Sequence, residues 1–144
     1  MGIKFFLFLT LSFSYSVSAE QISIMSYNLN NLFDAQDDPG KDDKAYLPIA
    51  LKNNDDHILG CLQVKNSKWR NECLFLDWNE EVVQKKISNI SDLLISMSES
   101  QPDIIAIQEI ENLNVLRMLF KKIEALGYTD FALIEGEDYR GIDN

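Results

Sequence analysis

Between residues 77 and 112 the chain changes its hydrophobic period once, and that change restricts the fold more than any other feature. In "DWNEEVVQKKISNISDLLISMSES" the residues Val83, Ile87, Ile90, Leu94 and Met97 recur at spacings of three and four, the pattern of a helix with one apolar face. Asp77 with Glu80 three residues on fits a capping box at its start. Pro102 marks its end by biasing Gln101 away from helical geometry. "PDIIAIQEIEN" follows at once, with Ile104, Ile105, Ala106, Ile107 and Ile110 crowded around Gln108 and Glu109. A short run apolar on both faces is what a strand buried in a layered α/β domain looks like. The carboxylate inside it asks for a reason.

The flanks extend the pattern. Residues 21–34, "QISIMSYNLNNLFD", place Ile22 and Ile24 on one parity and Met25, Tyr27 and Leu29 on the other, which reads as a strand buried between layers and leading into an Asn-rich loop. "NLNVLRMLFKKIEALGY" puts Leu116, Leu119, Phe120, Ile123 and Leu126 on one helical face, with Gly127 suited to the C-terminal cap. Residues 130–135 read as a third strand. Residues 35–76 lose all periodicity and are punctuated by Pro39, Gly40 and Pro48, so they form a loop-rich excursion that is either functional or organised by short local elements. The order strand, excursion, helix, strand, helix, strand argues for layered α/β architecture. Three strands are too few to cover both faces of two amphipathic helices, and a layered sandwich commonly takes roughly 200 to 250 residues, so the domain looks incomplete in this chain.

Residues 1–19 are set apart from the fold as a secretory signal. Lys4 supplies the positive start, Phe5 opens an apolar run diluted by serines, and Val17-Ser18-Ala19 offers the small residues a signal peptidase reads. The run falls short of a bilayer span, so no stable membrane anchor is expected after cleavage. Residues 20–144 then form one domain, secreted or periplasmic. Losing Lys4 leaves 12 basic against 23 acidic residues, a net charge of -11. That balance opposes a nonspecific grip on a phosphate backbone, so a phosphodiester substrate would need metal ions for much of its positive charge. Cys61 and Cys73 are even in number and exported, which favours a disulfide; with His57 as the one nearby histidine they make a poor zinc set. His57 itself reads as an exposed loop residue.

The first strand runs out of apolar residues at Asn28, Asn30 and Asn31, and the second at Gln108 and Glu109. If the strands are neighbours, both polar sets reach one edge of the sheet. A carboxylate beside carboxamides suits a hard cation, because Mg²⁺ takes oxygen ligands and usually only one or two carboxylates. On residue types alone the commoner case is a Glu that emerges into solvent, with Asn28 and Asn30 capping a turn.

"SYNLNNLFD", an amphipathic helix and "PDIIAIQEIEN", in that order, resemble the endonuclease/exonuclease/phosphatase superfamily, and "DYRGID" at residues 138–143 resembles a segment of its secreted bacterial nuclease-like branch. The resemblance implies the N-terminal part of a four-layer α/β/β/α sandwich, deoxyribonuclease-like. It also implies hydrolysis of a phosphoric ester with Mg²⁺, or Mn²⁺ or Ca²⁺ in its place. Glu109 would be the principal metal ligand, with Asn28 helping to bind metal or phosphate. Asn30 and Gln108 would support them from behind, and Arg140 would sit near the cleft, unless it forms a structural ion pair with Asp138 or Asp143. The superfamily's histidine paired with an aspartate and its Asp-x-Asn element are absent from these residues, so the chain is expected to be inactive alone.

The expected function is a secreted metal-dependent nuclease with nucleic acid as substrate. A phospholipid or sphingomyelin phosphodiesterase of the same fold stays open. So does an exported non-catalytic binding module that uses Lys65, Lys68, Trp69 and Arg70 between the cysteines.

Overall fold

The computed structural model describes residues 20–140 and 142; the secretory signal expected at residues 1–19 lies outside them. Two strands, β1 (Ile24–Leu32) and β2 (Ile104–Ile110), pair in parallel, with Ile24 opposite Ile104 and the register running straight to Asn28 opposite Gln108. Parallel strands need a crossover. The chain supplies one through α1 (Asp55–Leu62), α2 (Ser67–Phe75) and α3 (Glu80–Ser96), and continues past β2 into α4 (Leu113–Lys122). The described residues thus form a mixed α/β unit of a two-stranded parallel sheet and four α-helices.

The helices lie where the periodicity places them. α3 buries Val83, Ile87, Ile90 and Leu94, and α4 buries Val115, Leu116 and Leu119; both stripes meet Leu29, Leu32 and Ile110 of the strands in one core. Gly127 closes the turn after α4 at φ 79, a left-handed conformation that costs glycine nothing. Four asparagines start the four helices: Asn54, Asn66, Asn79 and Asn112 each accept a hydrogen bond from a backbone N–H of the first turn. α3 is therefore capped by Asn79 and not by the expected Asp77–Glu80 box, because Asp77 instead accepts from Asn79 Nδ2 and the Ile49 backbone.

Three further expectations are corrected. Residues 130–135 form no strand, since no described strand pairs with them; they follow α4 through side chains, with the Phe131 ring 4.6 Å from that of Phe120. Among the described residues β1 is covered on one face only. Leu29 is buried and Met25 and Tyr27 half-buried against the helices, while Ile24 and Ile104 on the other face stay 66% and 49% exposed. His57 is not an exposed loop residue but a buried one on α1.

The excursion is largely ordered. Two 3-10 turns, Lys44–Tyr46 and Ile49–Leu51, lead into α1 and α2, which a Cys61–Cys73 disulfide joins with a Cα separation of 5.6 Å. Lys52 is buried at the junction and donates Nζ hydrogen bonds to the carbonyl oxygens of Ala45, Glu72 and Leu76 at 2.8, 3.3 and 2.7 Å. Tyr46 ties the whole excursion to the core, stacked on Phe33 at 3.9 Å and edge-on to Trp78 at 5.2 Å. No described helix is long and apolar enough to cross a membrane.

Candidate metal centre at the strand ends

The regular ladder breaks at the Asn-rich end of β1. After Asn28 opposite Gln108 the next pair is Leu32 opposite Ile110, so residues 29–31 bulge against Glu109 alone. Asn30, Asn31 and Glu109 take positive φ, 53, 64 and 59, and they are the described non-glycine residues that do so. Asparagine tolerates that region and glutamate does so poorly, so strain is concentrated where the polar residues meet.

The bulge turns two donors onto one carboxylate and fixes one of them in place. Asn28 Nδ2 donates to Glu109 Oε1 at 2.9 Å, and the Asn31 backbone N–H donates to Oε2 at 3.0 Å. The Asn30 N–H donates to Asn28 Oδ1 at 2.7 Å, fixing the amide's orientation. Lys86 of α3 supplies the local cation. Its Nζ donates to the carbonyl oxygens of Asn30 at 2.5 Å and Asn31 at 3.0 Å and lies 5.4 Å from the centre of the Trp78 ring. Burial lowers the Lys86 pKa, and the Glu109 charge works against that shift.

Asn28, Asn30 and Glu109 are thus brought together. Gln108 turns away from them: its Oε1 accepts from Ser26 Oγ at 3.3 Å and its Nε2 donates to the Ala106 carbonyl at 2.9 Å. Arg140 pairs with Asp138, Nη2 to Oδ2 at 2.8 Å and Nε to the same oxygen at 3.0 Å, which is the ion-pair alternative. That pairing holds the Asp138 carboxyl below its usual range. Burial chiefly raises the Tyr46 phenol's pKa, the Glu72 and Glu109 charges raise it further and the Arg140 charge opposes them.

Two groups were missed from sequence. Lys86 is a polar interruption in the apolar face of α3, next to Ile87, and that was the signal. The second group is an acidic network one step beyond the bulge. Glu111 Oε2 accepts from the Asp34 N–H at 2.8 Å, and Asn112 Nδ2 reaches Glu111, Asp38 and Asp34 at 3.3, 3.1 and 3.2 Å. Asn114 Nδ2 donates to Asp34 at 2.8 Å, and Asp43 Oδ2 accepts from the Asp38 N–H at 2.8 Å. Burial pushes Glu111 up to about 9, helped by the Asp34, Asp38 and Asp43 charges, and pushes Asp43 up to about 6. Glu111 therefore carries a proton at neutral pH.

Glu109 and Asn28 offer one carboxylate and one amide oxygen, the latter also accepting from the Asn30 N–H, and these are the donor types a hard divalent cation takes. No known protein family, curated protein or solved structure matches the chain.

Proposed function

We propose that this chain supplies the first part of the active site of a secreted, Mg²⁺-dependent phosphodiesterase, an endonuclease of DNA or RNA built as an α/β/β/α sandwich. The observation that supports it best is the 2.9 Å approach of Asn28 Nδ2 to Glu109 Oε1 at the adjoining ends of two parallel strands. Ligands in open α/β sheets bind at such strand ends. Glu109 would hold the ion, and Asn28 would orient the phosphate or complete the metal's ligands. The ion, when bound, stabilises negative charge on the phosphate oxygens and leaving group. Lys86, Asn30 and the Asn31 N–H hold Glu109 and Asn28 in place before substrate arrives. The Cys61–Cys73 disulfide is compatible with an extracellular location.

Calorimetric titration of the purified chain with Mg²⁺ tests this. Binding at least tenfold weaker in Glu109→Gln is expected, and equal affinity in the two proteins would sink the reading. Plasmid nicking by the chain alone is expected to be absent. Release of phosphocholine from liposomes by a longer form, without plasmid nicking, would move the substrate to a phospholipid. One observation favours the binding-module reading: Trp69 is 61% exposed on α2 beside exposed Lys65 and Lys68. Replacing Lys65, Lys68 and Arg70 with Ser weakens nucleic-acid binding only if that cluster grips the substrate.

A further inference from the structure

The disulfide that clamps α1 to α2 has a third group against it. His57 and Cys61 lie four residues apart on one face of α1, and Cys73 meets them from α2; the three are 8%, 0% and 6% exposed. His57 Nε2 stands 3.2 Å from Cys61 Sγ and 2.9 Å from the Cys73 carbonyl oxygen. One potential ligand atom from each of the three lies within 4.8 Å of the other two. Nothing in the strand-end site uses this group. With the bridge closed, the sulfurs carry no negative charge, and Nε2 must bear a proton to donate to the Cys73 carbonyl.

We propose that the reduced chain binds Zn²⁺ between the thiolates of Cys61 and Cys73 and the imidazole of His57, so that metal and disulfide are alternative states of one site. Reduction needs two equivalents of a small thiol. The protein S–S bond breaks, each protein sulfur takes up a hydrogen, and the two small thiols leave joined as their own disulfide. Zn²⁺ then displaces both thiol protons into solvent. His57 carries its proton on Nδ1 in place of Nε2, freeing the Nε2 lone pair and giving up the bond to the Cys73 carbonyl. Two thiolates neutralise the ion, so the buried site gains no net charge. Three protein ligands leave a fourth position for water or an incoming ligand. Because all three ligands stand on helices packed together, their spacing is set by the hairpin and not by a loop. The same spacing that lets the bridge form therefore serves the metal.

The test takes the purified chain, reduced with a water-soluble phosphine and desalted, through a Zn²⁺ titration read by native mass spectrometry and calorimetry. One Zn²⁺ per reduced chain is expected, with a Kd at or below about 1 μM, and none at that affinity in the oxidised chain. His57→Ala should bind at least tenfold more weakly. His57→Gln, which keeps a donor for the Cys73 carbonyl and lacks the imidazole lone pair, should bind as weakly. Bound Zn²⁺ should also slow re-formation of the disulfide by oxidised glutathione at least tenfold. Circular dichroism is read alongside, and Zn²⁺ that restores helix lost on reduction supports the site as fully as binding to preserved helices. The proposal is overturned if the reduced chain takes up no Zn²⁺, if the oxidised chain takes up as much, or if both His57 variants titrate like the unsubstituted protein.

Discussion

Glu109 keeps a left-handed backbone that a glutamate adopts only when its surroundings compel it, and two hydrogen bonds to its carboxylate are what compel it. Glu109→Ala removes those acceptors and leaves the Asn31 N–H and the strain behind, so a loss of about 1 to 3 kcal/mol is expected in urea denaturation. Asn112 is the corresponding residue for the acidic network. Its Oδ1 caps α4 through the Val115 N–H at 3.0 Å while its Nδ2 serves three carboxyl groups. Asn112→Ala should cost about 2 to 4 kcal/mol, more than a cap alone. Asn112→Asp should keep the cap yet destabilise at neutral pH and recover on acidification, as its added carboxylate takes a proton. At this scale Glu109 and Asn28 were legible, because polar residues interrupt otherwise apolar strands. Glu111 was not, since a sequence does not show which of two nearby glutamates is buried, and Lys86 left only the weak signal of a polar residue beside the apolar stripe of α3.

Among the elements, α2 depends most on its surroundings. It buries Cys73 alone, and its start rests on Asn66, whose Oδ1 accepts from the Lys68 and Trp69 N–H groups. Reducing the Cys61–Cys73 bridge should therefore cost roughly 3 kcal/mol by the loop-entropy argument. Hydrogen exchange should rise in α1 and α2 and leave α3 and the strands protected; equal loosening of α3 would contradict this picture. The starts of β1 and β2 are stitched by Asp103 Oδ2, which accepts from both the Ser23 N–H and Oγ at 2.7 Å. Those bonds lower the Asp103 pKa below 3.8. A carboxylate lowered on folding contributes stability fully above its unfolded value and loses it as pH falls through the native one. An NMR titration of the Ser23 amide should have its midpoint below that of an unpaired aspartate, and a midpoint above it would remove the stitch. The helices α3 and α4 were legible because their apolar stripes keep a 3.6-residue period. The expected strand at 130–135 failed because β-propensity describes a surface that needs a neighbour, and no described strand offers one.

For the molecule as a whole, the layered α/β order was legible from the single change of period, and the cover on the sheet was not. Apolar residues on both parities of β1 suggested two covered faces, whereas Ile22, Ile24 and Ile104 stand in solvent among the described residues. Substituting Thr at positions 24 and 104 should thus shift stability by no more than about 0.5 kcal/mol per site. A loss of several kcal/mol would mean that the face is covered in solution. The proposed cation site lies at the bulge and not across the acidic surface at large. Backbone amide NMR during a Mn²⁺ titration measures this directly, because the paramagnetic ion broadens only signals near it. Broadening centred on Asn28, Asn30, Asn31 and Glu109, and lost in Glu109→Gln, is the predicted result. Broadening centred on Asp34, Asp38 and Asp43, or spread without a centre, would contradict it.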